Sequence, residues 1–360
     1  MSLVAIKKIS IILGTRPQII KSSNLIHHLK KKDFLIDIIH TGQHYDFNLS
    51  KKFFKEFDLP SPSLNLCIGA GTQSEQIAKI ILKLEKLFQK SKPNLVIIPG
   101  DTTSAIASAI VSSKCKIKFA HLEAGARSNE FYLSEEINRR LIDHCANFLF
   151  APTKNCFQNL KNEGVLGRKY FVGDTMYDLF LDQVKKHKLQ KYKKNIDIKK
   201  IFLTIHRNEN IENYDRLTKI CKFVNELSDN KFEILFPTHP HTKNMIKKFR
   251  LKIKADLIQP LNYLESLKCI MNSSLVITDS GGLQKESYWM GKPCITLRDS
   301  TEWIETIREK SNFLFSISNL PTIRRIKNII NSKINPKPAL FGSGKASIKI
   351  VKIIERILNE

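Results

Sequence analysis

A chain of 360 residues is long enough for two domains that each bury a core, and fractions of 42% hydrophobic and 26% charged residues are those of a globular protein. No segment approaches about 18 uninterrupted apolar residues, so membrane insertion is not expected, and "MSLVAIKKISIILGTRP" runs into a strand without a small-residue cleavage site, so a cytoplasmic protein is expected. The excess of 59 basic over 34 acidic residues, +25, is spread through an Ile-, Asn- and Lys-rich chain, which argues for solvated surface rather than a nucleic-acid partner.

In chain order, strands are predicted at "KISIILGT", "LIDIIHTG", "NLVIIPGD", "KIKFAHLEAG" and "NFLFAPT", with helical patterns such as "SEQIAKIILKLEKLFQ" and "TSAIASAIVSS" between them. The basic runs "HHLKKKD", "VKKHKLQKYKKNIDIKK" and "IKKFRLKIK" read as solvated helix faces and a linker-like loop. Beyond "KYFVGDTMYDLFLDQV" the alternation restarts with "KIFLTIHR", "EILFPTHP", "ADLIQPL", "LVITDSGG", "PCITLRD" and "NFLFSI". Two Rossmann-like α/β domains in series follow, with a boundary near residue 170 and the ligand site expected in the cleft where their strand ends face each other. Seven scattered cysteines, with no C-x-x-C pair and an odd total, read as reduced core thiols.

Polar clusters stand at one strand end after another: Gly14-Thr15-Arg16, Gly42-Gln43-His44, Gly100-Asp101-Thr102, His121-Leu122-Glu123, His206-Arg207, His239-Pro240-His241, Asp279-Ser280-Gly281-Gly282 and Arg298-Asp299. Several familiar sites are absent. "GTRPQIIK" lacks the G-x-G-x-x-G of a dinucleotide fold, so no NAD cofactor is expected. "GSGKAS" lacks the first P-loop glycine, has Ala346 after Lys345 and no leading strand. No His-x-x-x-His pair suggests a metal. In "VITDSGGLQKES" a buried strand turns into Ser-Gly-Gly and a helix, which sets exposed N–H groups and a positive dipole end where a phosphate can lie.

The motifs "GTRPQIIK", "HTGQHYD", "GDTTS", "HLEAGARS", "EEINR", "GDTMYD", "HRNEN", "TDSGGLQKE", "GKPC", "RDSTE" and "FGSGKAS" come in one order along essentially the whole chain, which resembles the non-hydrolysing UDP-N-acetylglucosamine 2-epimerases. The resemblance implies a glycosyltransferase-B-like fold, with residues 1–170 plus 346–360 as the first domain and 171–345 as the UDP-binding second. It also implies a homodimer without cofactor or metal. The relatives' chemistry is inversion at C2 of a UDP-sugar by elimination of UDP to a glycal and re-addition, serving surface-polysaccharide synthesis.

By the same resemblance Asp101, Glu123 and Glu135 match the catalytic carboxylates, crowded enough to raise one another's pKa, and His206 matches the histidine beside the diphosphate. Arg16, Lys21, Gln43 and His44 match first-domain substrate contacts; Ser280, Gly281 and Gly282 match the phosphate loop, and Glu286 the ribose ligand. Taken singly, Asp101 also reads as a helix N-cap and Glu135 as a first-turn dipole partner.

Lys285, Trp303-Ile304, Ser134 and a shorter Glu123–Glu135 interval depart from the best-known members. They look like the branch acting on UDP-2,3-diacetamido-2,3-dideoxyglucuronate, whose carboxylate would suit a cation such as Lys285. Tyr45 and Asp46 replace residues with which some relatives bind a second UDP-sugar. A hydrolysing epimerase and a UDP-sugar glycosyltransferase are the further alternatives.

Overall fold

Short Ile-, Leu-, Val- and Phe-rich runs that are buried on both faces require helices above and below, and this is how the chain is built. The computed structural model describes residues 6–43, 47–189 and 199–360, so His44, Tyr45, Asp46 and most of the lysine-rich stretch at 184–200 lie outside the described residues. The chain divides into two compact units, Met1–Asp182 with Pro338–Glu360, and Gln183–Lys337.

The first unit contains β1 (Lys7–Leu13), β2 (Phe34–His40), β3 (Leu64–Asn65), β4 (Leu95–Pro99), β5 (Phe119–Leu122), β6 (Phe148–Ala151) and β7 (Arg168–Phe171). They pair in parallel in the order β3-β2-β1-β4-β5-β6-β7. The winding reverses between β1 and β4, the position at which open α/β sheets bind ligands. Gly14 to Arg16 and Gly100 to Asp101 therefore leave the sheet side by side. Gly14 has no space for a side chain, since an added Cβ would lie 2.1 Å from Ser104 Oγ.

The second unit contains β8 (Lys200–Thr204), β9 (Glu233–Pro237), β10 (Asp256–Ile258), β11 (Leu275–Thr278), β12 (Cys294–Leu297) and β13 (Asn312–Phe315), parallel in the order β10-β9-β8-β11-β12-β13. Ile201, Leu203, Leu275, Ile277 and Ile295 from the sheet meet Ile220, Val224 and Ile326 from the helices in its core. Here the reversal lies between β8 and β11, so His206-Arg207 and Asp279-Ser280 are neighbours.

The units divide later than near residue 170 and earlier than residue 346, for a local reason. The helix Thr175–Lys186 buries Met176, Tyr177 and Phe180. Its Asp178 carboxylate accepts the N–H groups of Ala346 (3.0 Å) and Ser347 (2.7 Å), and Asp174 N–H donates to the Phe341 carbonyl (2.8 Å). Burial pushes the Asp178 carboxyl up, against the pull of those N–H groups. The helix Ala346–Asn359 is thereby fixed to the first unit, where Glu355 also pairs with Lys32 at 2.8 Å. The helix N-terminus that follows "GSGKAS" thus has its first N–H groups taken by a carboxylate of the same unit.

No described helix is long and apolar enough to cross a membrane. The cysteines are all free, but Cys67 and Cys145 are exposed, so the expectation of core thiols fails for these two: one lies in a loop, the other at a helix end.

Candidate functional site

At the first unit's switch point Glu123 follows β5 with φ 68°, a left-handed backbone that costs a non-glycine residue about 1–3 kcal/mol and must be held by its surroundings. Its carboxylate is in contact with the Lys21 ammonium, which comes from the helix Arg16–Leu29. Gly100, also left-handed at φ 68°, passes so close that an added Cβ would lie 2.9 Å from Lys21 Nζ.

Asp101 is not the N-cap of the helix Thr103–Lys114, because Thr102 Oγ1 accepts the Ala105 N–H at 3.2 Å in that role. The Asp101 carboxylate instead accepts Arg139 Nε at 2.8 Å and Nη2 at 2.5 Å, while its carbonyl accepts Asn138 Nδ2 at 2.9 Å. Glu135 stands in the first turn of the helix Ser134–Cys145. Asn138 and Arg139 are three and four residues further on, which places Glu135 on the helix face that meets Asp101.

The expected crowding of like charges is offset, since Asp101 and Glu123 each face a cation. Gln43 has its Oε1 taken up by Ser104 N–H (3.2 Å) and Oγ (2.7 Å), so it secures the loop after β2 to a helix start. The Arg16 guanidinium lies 4.6 Å from the centre of the Phe53 ring.

Behind these groups is a buried network that sequence reasoning missed. Glu136, fully buried, accepts Ser128 N–H at 2.9 Å, Arg139 Nη1 at 3.2 Å and Arg140 Nε at 3.1 Å. Asp143, also fully buried, faces His121 Nδ1 at 2.6 Å, Gly125 N–H at 3.0 Å and Arg127 Nη2 at 2.8 Å. Burial opposes its ionisation, but His121, Arg127 and the Gly125 N–H outweigh that and hold the carboxyl below the usual range. The charge alternation of "EEINRRLID" at helical spacing was the available signal.

In the second unit Asp279, fully buried, is the organising group. It accepts the backbone N–H groups of His206 (3.1 Å) and Arg207 (3.0 Å), Asn210 Nδ2 (3.0 Å) and His206 Nδ1 (3.1 Å). Burial alone would raise its pKa; the His206 charge and these donors prevail and hold it at about 2. With Nδ1 on Asp279, the half-exposed His206 ring turns its other edge outward.

Ser280 is the N-cap residue of the helix Gly281–Trp289, and its side chain makes no capping bond. An added Cβ on Gly281 would sit 3.2 Å from both Glu302 Oε1 and Trp303 Nε1. Gln284, Lys285, Glu286 and Ser287 are all buried, an unusual polar run for a helix interior. The Lys285 ammonium lies 4.0 Å from the Trp303 ring and 5.8 Å from Trp289. Lys285 has no exposed surface, so the structure does not offer it to a substrate carboxylate. Among the described residues no cluster of three or more His, Cys, Asp or Glu is placed to hold a metal.

Two parallel sheets, each with polar groups gathered at its switch point, are the architecture of a glycosyltransferase-B-like α/β fold. A family model described as UDP-N-acetylglucosamine 2-epimerase matches residues 27–355, and the chain belongs to that family, an isomerase family. A UDP-N-acetylglucosamine 2-epimerase of Methanocaldococcus jannaschii is 42% identical over 96% of this chain and 98% of the relative. A UDP-2,3-diacetamido-2,3-dideoxy-D-glucuronate 2-epimerase of Pseudomonas aeruginosa is 36% identical over 97% of this chain and all of the relative (100%). Among solved structures, the Methanocaldococcus jannaschii UDP-GlcNAc 2-epimerase in complex with UDP-GlcNAc and UDP superposes with a TM-score of 0.89, at 40% identity over 97% of this chain and 99% of that one.

Proposed function

We propose that this enzyme inverts C2 of UDP-N-acetylglucosamine to the manno isomer without hydrolysis. A base removes the C2 proton, the C1–O bond to UDP breaks with its electron pair leaving on the diphosphate, and a glycal remains bound. UDP then re-adds at C1 while an acid returns a proton to the other face of C2. In this reading Asp101, Glu123 and Glu135 share the proton work, each positioned group contributing about 10²–10⁴-fold. Arg16, Lys21, His206 and the Ser280–Gly282 turn stabilise the departing diphosphate, a larger electrostatic contribution, and Glu286 takes the ribose. Gln43 acts by holding its loop in place.

The observation that carries the reading is Glu123, a carboxylate kept on a strained left-handed backbone against Lys21 and next to the Gly100-Asp101 turn. A cytoplasmic homodimer supplying surface-polysaccharide synthesis fits it. The test is incubation with UDP-N-acetylglucosamine in D₂O followed by NMR: the manno isomer with deuterium at C2 is expected. Release of free sugar and UDP would instead make the enzyme a hydrolysing epimerase, and turnover only with an acceptor would make it a glycosyltransferase.

The second reading, epimerisation of UDP-2,3-diacetamido-2,3-dideoxyglucuronate, is favoured by the 36% identical relative of that name and by the sequence resemblance of Ser134, Lys285 and Trp303-Ile304 to that branch. Against it stand the 42% identity to a relative named for N-acetylglucosamine and the burial of Lys285. The plain sugar is therefore the primary substrate proposed.

A further inference from the structure

His121 is fully buried on β5, and both nitrogens of its ring face acceptors: Nε2 lies 2.8 Å from the Gly100 carbonyl and Nδ1 lies 2.6 Å from the Asp143 carboxylate. A carbonyl can only accept, so Nε2 carries a proton and donates it. Asp143 also receives Gly125 N–H and Arg127 Nη2 on its other oxygen, so both ring nitrogens of His121 are committed to partners inside the fold. The two bonds reach different loops. Through Nε2 the ring grips the residue before Asp101. Through Asp143 it grips Gly125, so that one carboxylate spans from two residues before Glu123 to two residues after it.

We propose that His121 and Asp143 act as a positioning pair that holds Asp101 and Glu123 in register with each other, by bracketing the left-handed turn at Glu123 and tying it to the left-handed turn at Gly100. Neither residue touches substrate. The argument is geometric: Glu123 (φ 68°) and Gly125 (φ 81°) depart from the β conformation inside the bracketed segment, and Gly100 (φ 68°) departs from it at the other contact. Without an internal clamp such turns relax. Displacing a reacting group by about 1 Å is enough to cost on the order of 10²-fold in rate.

This inference rests on the proposed epimerase reading, in which those two carboxylates move protons. The test compares Asp143→Asn, which keeps shape but not charge, with His121→Asn, which keeps a donor near Asp143, and His121→Gln, which keeps a donor toward Gly100. Each is assayed for kcat, KM, C2 deuterium incorporation, UDP affinity by calorimetry and Tm. The expected result is kcat and deuterium incorporation lowered together, by roughly 10²-fold in the variants that lose a clamp bond, with KM and UDP affinity within about threefold of the native enzyme. His121→Gln, the mildest change, is expected to lose least, and it decides the matter if the other two do not fold. Folded variants whose kcat stays within threefold, or whose loss lies in KM or Tm alone, would overturn the clamp. If the native enzyme itself fails to exchange C2 hydrogen, the functional reading has failed instead.

Discussion

The two switch points use the same device to different ends. In each, a fully buried aspartate gathers a histidine and further N–H donors: Asp143 takes His121 and the Gly125 backbone N–H, and Asp279 takes His206, the Arg207 backbone N–H and the Asn210 side-chain amide. The histidines differ. His121 is fully buried with both ring nitrogens engaged inside the fold, whereas His206 is half exposed and anchored through one. A histidine with both nitrogens committed can only position other groups; one anchored by a single nitrogen keeps an edge for a ligand. The surroundings differ in the same sense. Carboxylates in the first unit meet cations, Glu123 with Lys21 and Asp101 with Arg139, as suits proton chemistry. The second unit sets small residues and a helix N-terminus without a side-chain cap beside its histidine, as suits an anion.

The largest way to break this comparison is to neutralise the first unit's carboxylates. Glu123→Gln and Asp101→Asn are each expected to lower epimerisation by about 10²–10⁴-fold while UDP affinity stays within a few-fold, because the phosphate turn and the ribose ligand are assigned to the other unit and both substitutions leave Arg16 and Lys21 in place. NMR of C2 exchange and UDP calorimetry read the two effects separately. Equal losses of turnover and of UDP binding would show that the division of labour is not real.

The next is a pH experiment on Asp279. Its folded pKa, about 2, lies below the ordinary value of 3.8, so the stability it contributes is present above about pH 4 and is lost as the pH falls through about 2. The difference is on the order of 2 kcal/mol. Urea unfolding of the native chain and of Asp279→Asn at pH 5, 4, 3 and 2 should show the native chain losing that much more across the interval. Parallel curves would mean that Asp279 is not the organising charge of the second unit.

A smaller effect is expected at Gly281. An added methyl would press on Glu302 and Trp303 at 3.2 Å, contacts tight enough to shift them by tenths of an ångström, and would stand beside the N–H groups assigned to the diphosphate. Gly281→Ala should weaken UDP binding about tenfold, roughly 1.4 kcal/mol, with little change in Tm. Unchanged calorimetric affinity would reduce the glycine pair to a turn.

How legible all this was depends on the range of the interaction. The strands and the restart of the alternation were readable because a parallel strand buried on both faces is a local apolar run. β3 was not, since two residues carry no period. Individual site residues came from motif resemblance, but their partners did not: nothing local in "HLEAG" says that His121 reaches both Gly100 and a residue of a later helix. Asp101 was ambiguous for the opposite reason, as its local sequence suits an N-cap that Thr102 in fact supplies. Lys285 read as an available cation because a lysine on a short helix is usually exposed. Its burial depends on Trp303, which is brought to it only by folding.

That pair supplies the smallest and most discriminating prediction. If Lys285 recognised a sugar carboxylate, replacing it would abolish a charge-assisted contact of about 1.5–3 kcal/mol and change relative kcat/KM for the diacetamidoglucuronate substrate by tenfold or more. The ammonium is instead enclosed near the Trp303 and Trp289 rings, so Lys285→Met forfeits a cation–π contact of about 0.5–2 kcal/mol and replaces it with an unbranched side chain suited to the same channel. The expectation is a modest fall in Tm and a change of less than threefold in the ratio of kcat/KM for UDP-2,3-diacetamidoglucuronate over UDP-N-acetylglucosamine. Trp303→Arg tests the same packing from the other side: a second cation against a buried ammonium should destabilise the second unit far more than Lys285→Met does. A tenfold swing in substrate preference with Lys285→Met would restore Lys285 as a specificity residue and move the substrate assignment to the acidic sugar.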